Sequence, residues 1–404
     1  MVIANSDSTG TLVSLGNGLK RVASYQGFDL GSYNEVVTYQ PTDLLLPEDT
    51  FLDDSEIGLD GSFHSCSLQV DQQLQQQKQP LYLPKKRDAV DQCLRSNMIV
   101  MERCDQLLAQ TPVVYNDHSK ERVLYVAQGE VAYAVPLHCD VLVSDKATTC
   151  HIIAMQSCSD HCTPMSSLTH IDSAAYEESV RAMLQDHKTH HRATSVANMD
   201  ADAMSDSRIA LAIHIVGGFE DDKGSSREIS NWLISLLACI ASEEKDSLKI
   251  TLETVAVSCM NDDGHCAPIG RGLAINVKTG ETFLARCETQ VAGPCMSLRS
   301  ARLWSGIKPK LHLIHTAHSN ACCIEPFSYT PFKEIDALLR LQDHVLLRYT
   351  STSPECEEDD FCHSLRSTLT FLRDTPCKQT FGDRLDQPLV YRRIRQSNTW
   401  QLSC

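Results

Sequence analysis

The chain of 404 residues has no long hydrophobic run. Its most apolar stretch, "WLISLLACIA" from Trp232, is about half of the ~20 residues that a membrane span requires, so no membrane association is expected. The opening twenty residues, "MVIANSDSTGTLVSLGNGLK", intersperse polar and small residues where an export signal would carry an uninterrupted apolar centre, which argues against secretion. Positive charge is scarce: 36 basic residues face 52 acidic ones, a formal net charge of −16. A surface of that sign repels phosphate backbones, and the only basic run, "KKR" at 85–87, is short, so nucleic acid is not an expected partner. The paired C-x-x-C half-sites of structural zinc proteins are missing, as are a glycine-rich phosphate loop, heptads and internal repeats; no metal or cofactor is expected. The chain is read as cytoplasmic, with the nucleus as a second location, and as a monomer.

Cysteine, by contrast, is plentiful, at 18 residues. In a reducing compartment most of these are thiols that pack as small hydrophobes. "CSDHC" (158–162) reads as a solvated loop, and the pair Cys322–Cys323 as core or turn. Residues 1–80 hold an acidic, Pro-containing region and a Gln-rich tract with no sustained period of 2 or 3.6, and are read as a disordered extension to a folded domain over 81–404.

The folded part alternates elements. Helices are expected over 89–108, 173–184, 225–240, 330–347 and 360–372, and strands over 122–135 (two, about a Gln-Gly turn), 151–155, 209–218 and 248–259, with a hairpin over 273–287. Ser225 and Glu228 have capping-box spacing, and Thr330-Pro331 reads as a cap and first helical residue. His187, His190 and His191 fall in a stretch read as a polar surface insertion, and His214, alone in an apolar strand, as a satisfied core residue. Strands in hairpins with helices between them indicate a layered α+β domain with a mainly antiparallel or mixed sheet.

One thiol invites a chemical reading. Cys150 in "SDKATTCHIIAM" lies where a polar loop meets an apolar strand, and twenty residues on "LTHIDS" supplies His170 and Asp172. A nucleophilic cysteine needs a base and amides aimed at an oxyanion. In a chain with 18 cysteines and 16 histidines such spacing also arises by chance, and a buried inert thiol stays open.

Taken in order, "LYVAQGEVAYAV", "SDKATTCHII", "LTHIDS", "IHIVGGFEDD", "GLAINVKTGETFLAR", "IEPFSYTPF", "STSPE" and "LRSTLTFLRD" resemble the signature blocks of the protein N-terminal asparagine amidohydrolase family across about 124–402. The resemblance implies an α-β-β-α sandwich like that of bacterial deamidases, a nucleophile at Cys150 and a partner base at His170. His151, one step along a strand, would point to the other face. It further implies hydrolysis of an N-terminal asparagine side chain to aspartate and ammonia, on protein or peptide substrates destined for degradation through their N-termini. Amides near Thr149 would serve the oxyanion, and Asp172 or Asp145 would orient the histidine or hold the substrate's α-ammonium. A deamidase of internal Gln or Asn, and a non-catalytic N-terminus-binding module, are the alternatives. The front extension and the segments at 150–170 and 185–208 look lengthened relative to the family.

Overall fold

A computed structural model describes residues 97–403 apart from 160–161, 197–207, 222–223, 264–266, 290, 306–309 and 395–397. The 1–80 extension lies outside these residues, as do the first part of the 89–108 helix and the centre of "CSDHC".

Two sheets carry the site. The larger has six strands in the order β11-β3-β6-β5-β7-β8, where β3 is Glu130–Ala134, β5 His151–Ser159, β6 Cys162–Ile171, β7 Ile209–Gly217, β8 Leu248–Val257 and β11 His312–His315. The smaller has five in the order β1-β10-β9-β4-β2: β1 Val113–Tyr115, β2 Val123–Tyr125, β4 Val141–Ala147, β9 Arg271–Asn276 and β10 Thr282–Cys287. Both are mixed: β5 runs antiparallel to β6 and β7, while β7–β8, β11–β3, β2–β4 and β1–β10 are parallel. The domain is therefore of the layered α+β kind with mixed sheets that the sequence indicated.

Alternation along β5 sorts its side chains between two interfaces. Ile152, Ala154 and Gln156 face the smaller sheet, where Ile152 and Ala154 are buried with Leu142, Leu273 and Ile275, and the Gln156 amide donates to the Val277 carbonyl at 3.2 Å. His151, Ile153, Met155 and Ser157 face the opposite way, onto α2 (Glu177–Val196) and α3 (Ser225–Glu243). Removing one such Ile or Leu from water is worth roughly 1.5–3 kcal/mol, so the alternation fixes the strand's register. Helices α4 (Met296–Ala301), α5 (Ile335–Arg340), α6 (Asp343–Thr350) and α7 (Phe361–Asp374) gather with β12 (Ala321–Ile324) and β13 (Leu389–Arg393) into a second apolar cluster, in which Leu338, Leu346, Leu369 and Phe381 are buried. β12 and β13 pair with β14 (Trp400–Leu402) in a three-stranded sheet. The expected N-terminal helix is present as α1, Met98–Leu108, with Asn97 capping it by accepting from the Val100 amide.

Several local expectations are corrected. The stretch 122–135 does form two strands, but β2 and β3 part into different sheets instead of pairing about the Gln-Gly turn. The 173–184 helix runs on to Val196 and takes up the part of the supposed surface insertion that holds the histidines: His187 is 0% exposed, and His190 and His191 are also buried. Both His187 ring nitrogens are held at 2.8 Å by hydroxyls of the sheet below, Ser157 and Ser167. Helix α3 is capped by Asp221, whose carboxylate accepts from the amides of Ser225 (3.1 Å) and Ser226 (2.7 Å), and Gly224 occupies the N-cap instead of Ser225. The 330–347 helix is two short helices, broken where Leu341 and Gln342 turn extended, and Thr330-Pro331 lies ahead of both. His214 is satisfied as expected, its Nδ1 within 3.1 Å of the Thr254 and Thr282 hydroxyls, but it is half-buried and not a full core residue.

Candidate active site

A cavity of about 380 Å³ opens at the ends of β4, β5 and β6, under the loop leading to α7. Cys150 lies just before β5, with its backbone clamped by the double-glycine turn after β7. The Gly218 amide donates to the Cys150 carbonyl at 2.9 Å, and the Ser226 hydroxyl donates to the Thr149 carbonyl at 3.1 Å. Both glycines have positive φ, +121° at Gly217 and +72° at Gly218. A side chain on Gly217 would collide with the Cys150 carbonyl oxygen, and one on Gly218 would meet the His151 ring. The "VGG" motif is thus a brace for residue 150.

The register brings the histidine to the thiol's side. Ile152 of β5 pairs with His170 of β6, so Cys150, two residues before Ile152, shares its face with His170. Both side chains line the cavity. His151 points the other way, its Nε2 2.7 Å from the Ser230 hydroxyl of α3.

His170 is only 4% exposed. Its Nδ1 is 2.9 Å from the hydroxyl of Ser144, which reaches across from β4 of the other sheet. Its Nε2 is buried with no hydrogen-bond partner. Burial holds the ring's pKa down to about 4, so the imidazole is neutral at neutral pH. Cys150 is pushed the opposite way, well above an ordinary thiol, by burial first and then by the negative charges of Asp172 and Glu357, with the Thr149 hydroxyl working against them. At rest the proton belongs to sulfur.

The remaining expected residues surround this pair. Thr149 is buried, with Oγ1 3.3 Å from the Thr352 hydroxyl. Asp145 lines the cavity, but both carboxylate oxygens are engaged: Oδ1 accepts from the Tyr125 hydroxyl (2.9 Å) and Oδ2 from the Cys287 amide (2.8 Å). Asp172 accepts from the Gln128 amide at 2.6 Å, and the Tyr176 hydroxyl also bonds to it. Burial raises the pKa of both carboxyls.

Sequence reasoning overlooked three residues of the site: Gln128 and Glu357, which line the cavity, and Ser144, which holds His170. Ser144 opens the "SDKATTCHIIAM" stretch, and strand alternation with Leu142 would have flagged it as a polar side chain aimed inward. Gln128 sits in the turn between β2 and β3. That turn is pinned by the buried Glu130 carboxylate, which accepts from Arg299 Nε, Arg302 Nη1 and the Ala127 amide, each at 2.9 Å. Glu357, from the loop before α7, lines the cavity, and nothing local in "STSPECEED" distinguishes it from its acidic neighbours. Among the described residues no group of three or more His, Cys, Asp or Glu side chains is arranged to hold a metal ion.

Fold and cavity define a class: layered α+β proteins that present a thiol and a buried imidazole at the ends of two paired strands. Residues 113–402 match the family model described as protein N-terminal asparagine amidohydrolase. The chain is 31% identical over 281 residues to the protein N-terminal asparagine amidohydrolase of Homo sapiens and 32% identical over 281 residues to that of Sus scrofa, in each case covering 69% of this chain and 83% of the relative. It is 25% identical over 300 residues to the Arabidopsis thaliana protein of the same name, covering 80% of that relative. The chain belongs to the protein N-terminal asparagine amidohydrolase family.

Proposed function

We propose that the protein hydrolyses the side-chain amide of asparagine at the N-terminus of proteins or peptides, with Cys150 as nucleophile and His170 as the proton carrier. The observation that carries this reading is the state of His170: one ring nitrogen held by Ser144, the other buried, unpartnered and on the thiol's side of the sheet. A buried nitrogen without a partner is costly in a structural histidine and serves a base that receives its proton during reaction.

The steps follow from the resting charges. Because the thiol is protonated and the imidazole neutral, Nε2 takes the Sγ proton as sulfur attacks the carboxamide carbon. The oxyanion forms next to the backbone amides of Thr149 to His151. The imidazolium gives its proton to the departing nitrogen, the C–N bond breaks, and ammonia leaves a thioester on Cys150. His170 then draws a proton from water, hydroxide adds to the thioester carbon, and collapse returns the proton to sulfur and releases N-terminal aspartate. Ser144 keeps the ring oriented through both half-reactions. Family relatives carry this activity in their names, and an N-terminal aspartate as product ties the reaction to N-terminus-dependent degradation in the cytoplasm or nucleus.

Peptides beginning with Asn, beginning with Gln, or carrying Asn only internally test the reading through ammonia release. The expected result is release from the Asn-first peptide alone, and none from any peptide with Cys150→Ala. Equal release from internal Asn, or undiminished release by the alanine variant, would overturn it.

A further inference from the structure

An enzyme confined to N-terminal asparagine must read the substrate's free α-ammonium, and a buried carboxylate is the group suited to it. Four carboxylates line the cavity: Asp145, Asp172, Glu357 and Asp360. Resting on the reading above, we propose that Glu357 is the specificity residue that receives the α-ammonium and so separates N-terminal from internal asparagine.

The argument is one of hydrogen-bond capacity. The two oxygens of Asp145 are committed to donors fixed in the fold, a tyrosine hydroxyl and a backbone amide, and Asp172 is engaged by Gln128 and Tyr176. A substrate ammonium would have to displace these internal donors. Glu357 holds only the Ser351 hydroxyl, through Oε1, among its described hydrogen bonds. Its acidic neighbours are occupied: Asp360, which also lines the cavity, lies 2.8 Å from Lys146 Nζ and accepts from the Thr289 hydroxyl at 3.2 Å, and Glu358 lies 3.1 Å from Lys146 Nζ and 3.6 Å from Arg286. Glu358 and Asp360 are thus spent on anchoring the loop to β4 and β10, while Glu357 keeps acceptor capacity toward the cavity.

A second observation points to the same cavity: His170, whose buried Nε2 has no hydrogen-bond partner, is one of its lining residues. The charge of Glu357 is also felt at the thiol, where it acts to keep Cys150 protonated. Asp172 acts in the same sense; at Glu357 itself, burial, Glu358 and Asp360 favour the protonated carboxyl, while the Ser351 hydroxyl and Lys146 favour the charged one. An ammonium bound to Glu357 cancels that influence, so the free N-terminus both docks the substrate and eases departure of the thiol proton. A side chain lacking a nearby ammonium, internal Asn or an acetylated N-terminus, supplies neither effect.

The test compares an Asn-first peptide with its Nα-acetylated twin on wild type, E357Q, E357D, D145N and D172N, with ammonia release as readout and peptide binding measured by calorimetry in the Cys150→Ala background. E357Q is expected to lower kcat/KM and affinity for the free-amine peptide by about 10- to 100-fold, the worth of one hydrogen bond to a charged group, and to leave the acetylated peptide unchanged. E357D, which keeps the charge, restores part of the preference, a result that general loosening of the loop would not give. If E357Q retains the wild-type ratio of free to acetylated peptide while D145N or D172N loses it, Glu357 is overturned and the other carboxylate takes the role. If wild type releases no ammonia from the Asn-first peptide and the Cys150→Ala protein binds neither twin, the reading of the whole site falls, and this inference with it. Should E357Q fail to fold, E357D alone decides: an unchanged free-to-acetylated ratio with a side chain one methylene shorter counts against the role.

Discussion

At Ser144, a single hydroxyl joins the two sheets at the point where chemistry is proposed. A neutral imidazole has one donor and one acceptor nitrogen, and the partner of Nδ1 decides which face Nε2 presents. Without Ser144 the ring of His170 has no polar partner in its buried setting, since its other nitrogen already lacks one. Ser144→Ala is expected to lower kcat by about 10-fold, a fraction of the ~100- to 10,000-fold typical of general acid–base catalysis, with little change in KM. Ser144→Thr, which keeps the hydroxyl, recovers most of it. Steady-state kinetics on the Asn-first peptide checks both, and an alanine variant with wild-type kcat would remove Ser144 from the proton path. The same reasoning gives the pH profile: His170 is neutral above its depressed pKa of about 4, so kcat holds across neutral pH and declines only as the pH falls toward that value.

The element that places Cys150 is the glycine turn at the end of β7, and its demand on sequence is severe. Gly217 combines a φ of +121° with direct approach to the Cys150 carbonyl, so any side chain meets both backbone strain and a collision. Strain of that kind costs about 1–3 kcal/mol by itself. Gly217→Ala is expected to lower the melting temperature and to reduce ammonia release by a larger factor than its loss of folded protein explains, because residue 150 moves with the turn; thermal unfolding and activity per folded molecule separate the two effects. Features like this turn were legible in the sequence because their causes are local: a strand ending in two glycines, the three-and-four spacing of Ile229, Leu233, Leu237 and Ile240, and the alternation that turns His151 to the face opposite Cys150. What was not legible depends on partners distant in the chain. The polar run through His187 reads as surface until serines of β5 and β6 are brought beneath it. The β2–β3 stretch reads as a hairpin until the buried Glu130–Arg299 contact holds its turn between two sheets. Ser225 and Glu228 have the spacing of a cap, yet Asp221 reaches the amides first. Glu357 looks like one acid among several until Lys146 and Arg286 claim its neighbours.

The whole molecule buries several imidazoles, and this shapes its response to acid. Burial holds His151 and His187 at pKa values of about 3 and His170 at about 4, all below the value near 6.5 of an unfolded histidine. Between those limits the unfolded chain binds protons that the folded one refuses. Each such histidine therefore contributes stability that is complete above about pH 6.5 and is lost as the pH falls, with a slope approaching 1.4 kcal/mol per pH unit. The raised carboxyls of Asp145, Asp172 and Glu357 work in the opposite sense, since they retain protons in the fold that the unfolded chain has released above about pH 4. The raw pH dependence mixes the two, and a single histidine variant isolates one of them. His187 is suited to this because it is fully buried, bonded through both nitrogens to serines, and far from the proposed chemistry on the helix-covered face of the larger sheet. His187→Gln is expected to be less stable than wild type at pH 7, having lost that paired geometry, yet to show a shallower fall in stability between pH 6 and 4, by about 1.4 kcal/mol per pH unit. Denaturant unfolding at several pH values measures both quantities. A variant whose slope matches wild type would mean that His187 carries its proton in the fold, with Ser157 and Ser167 both accepting from the imidazolium.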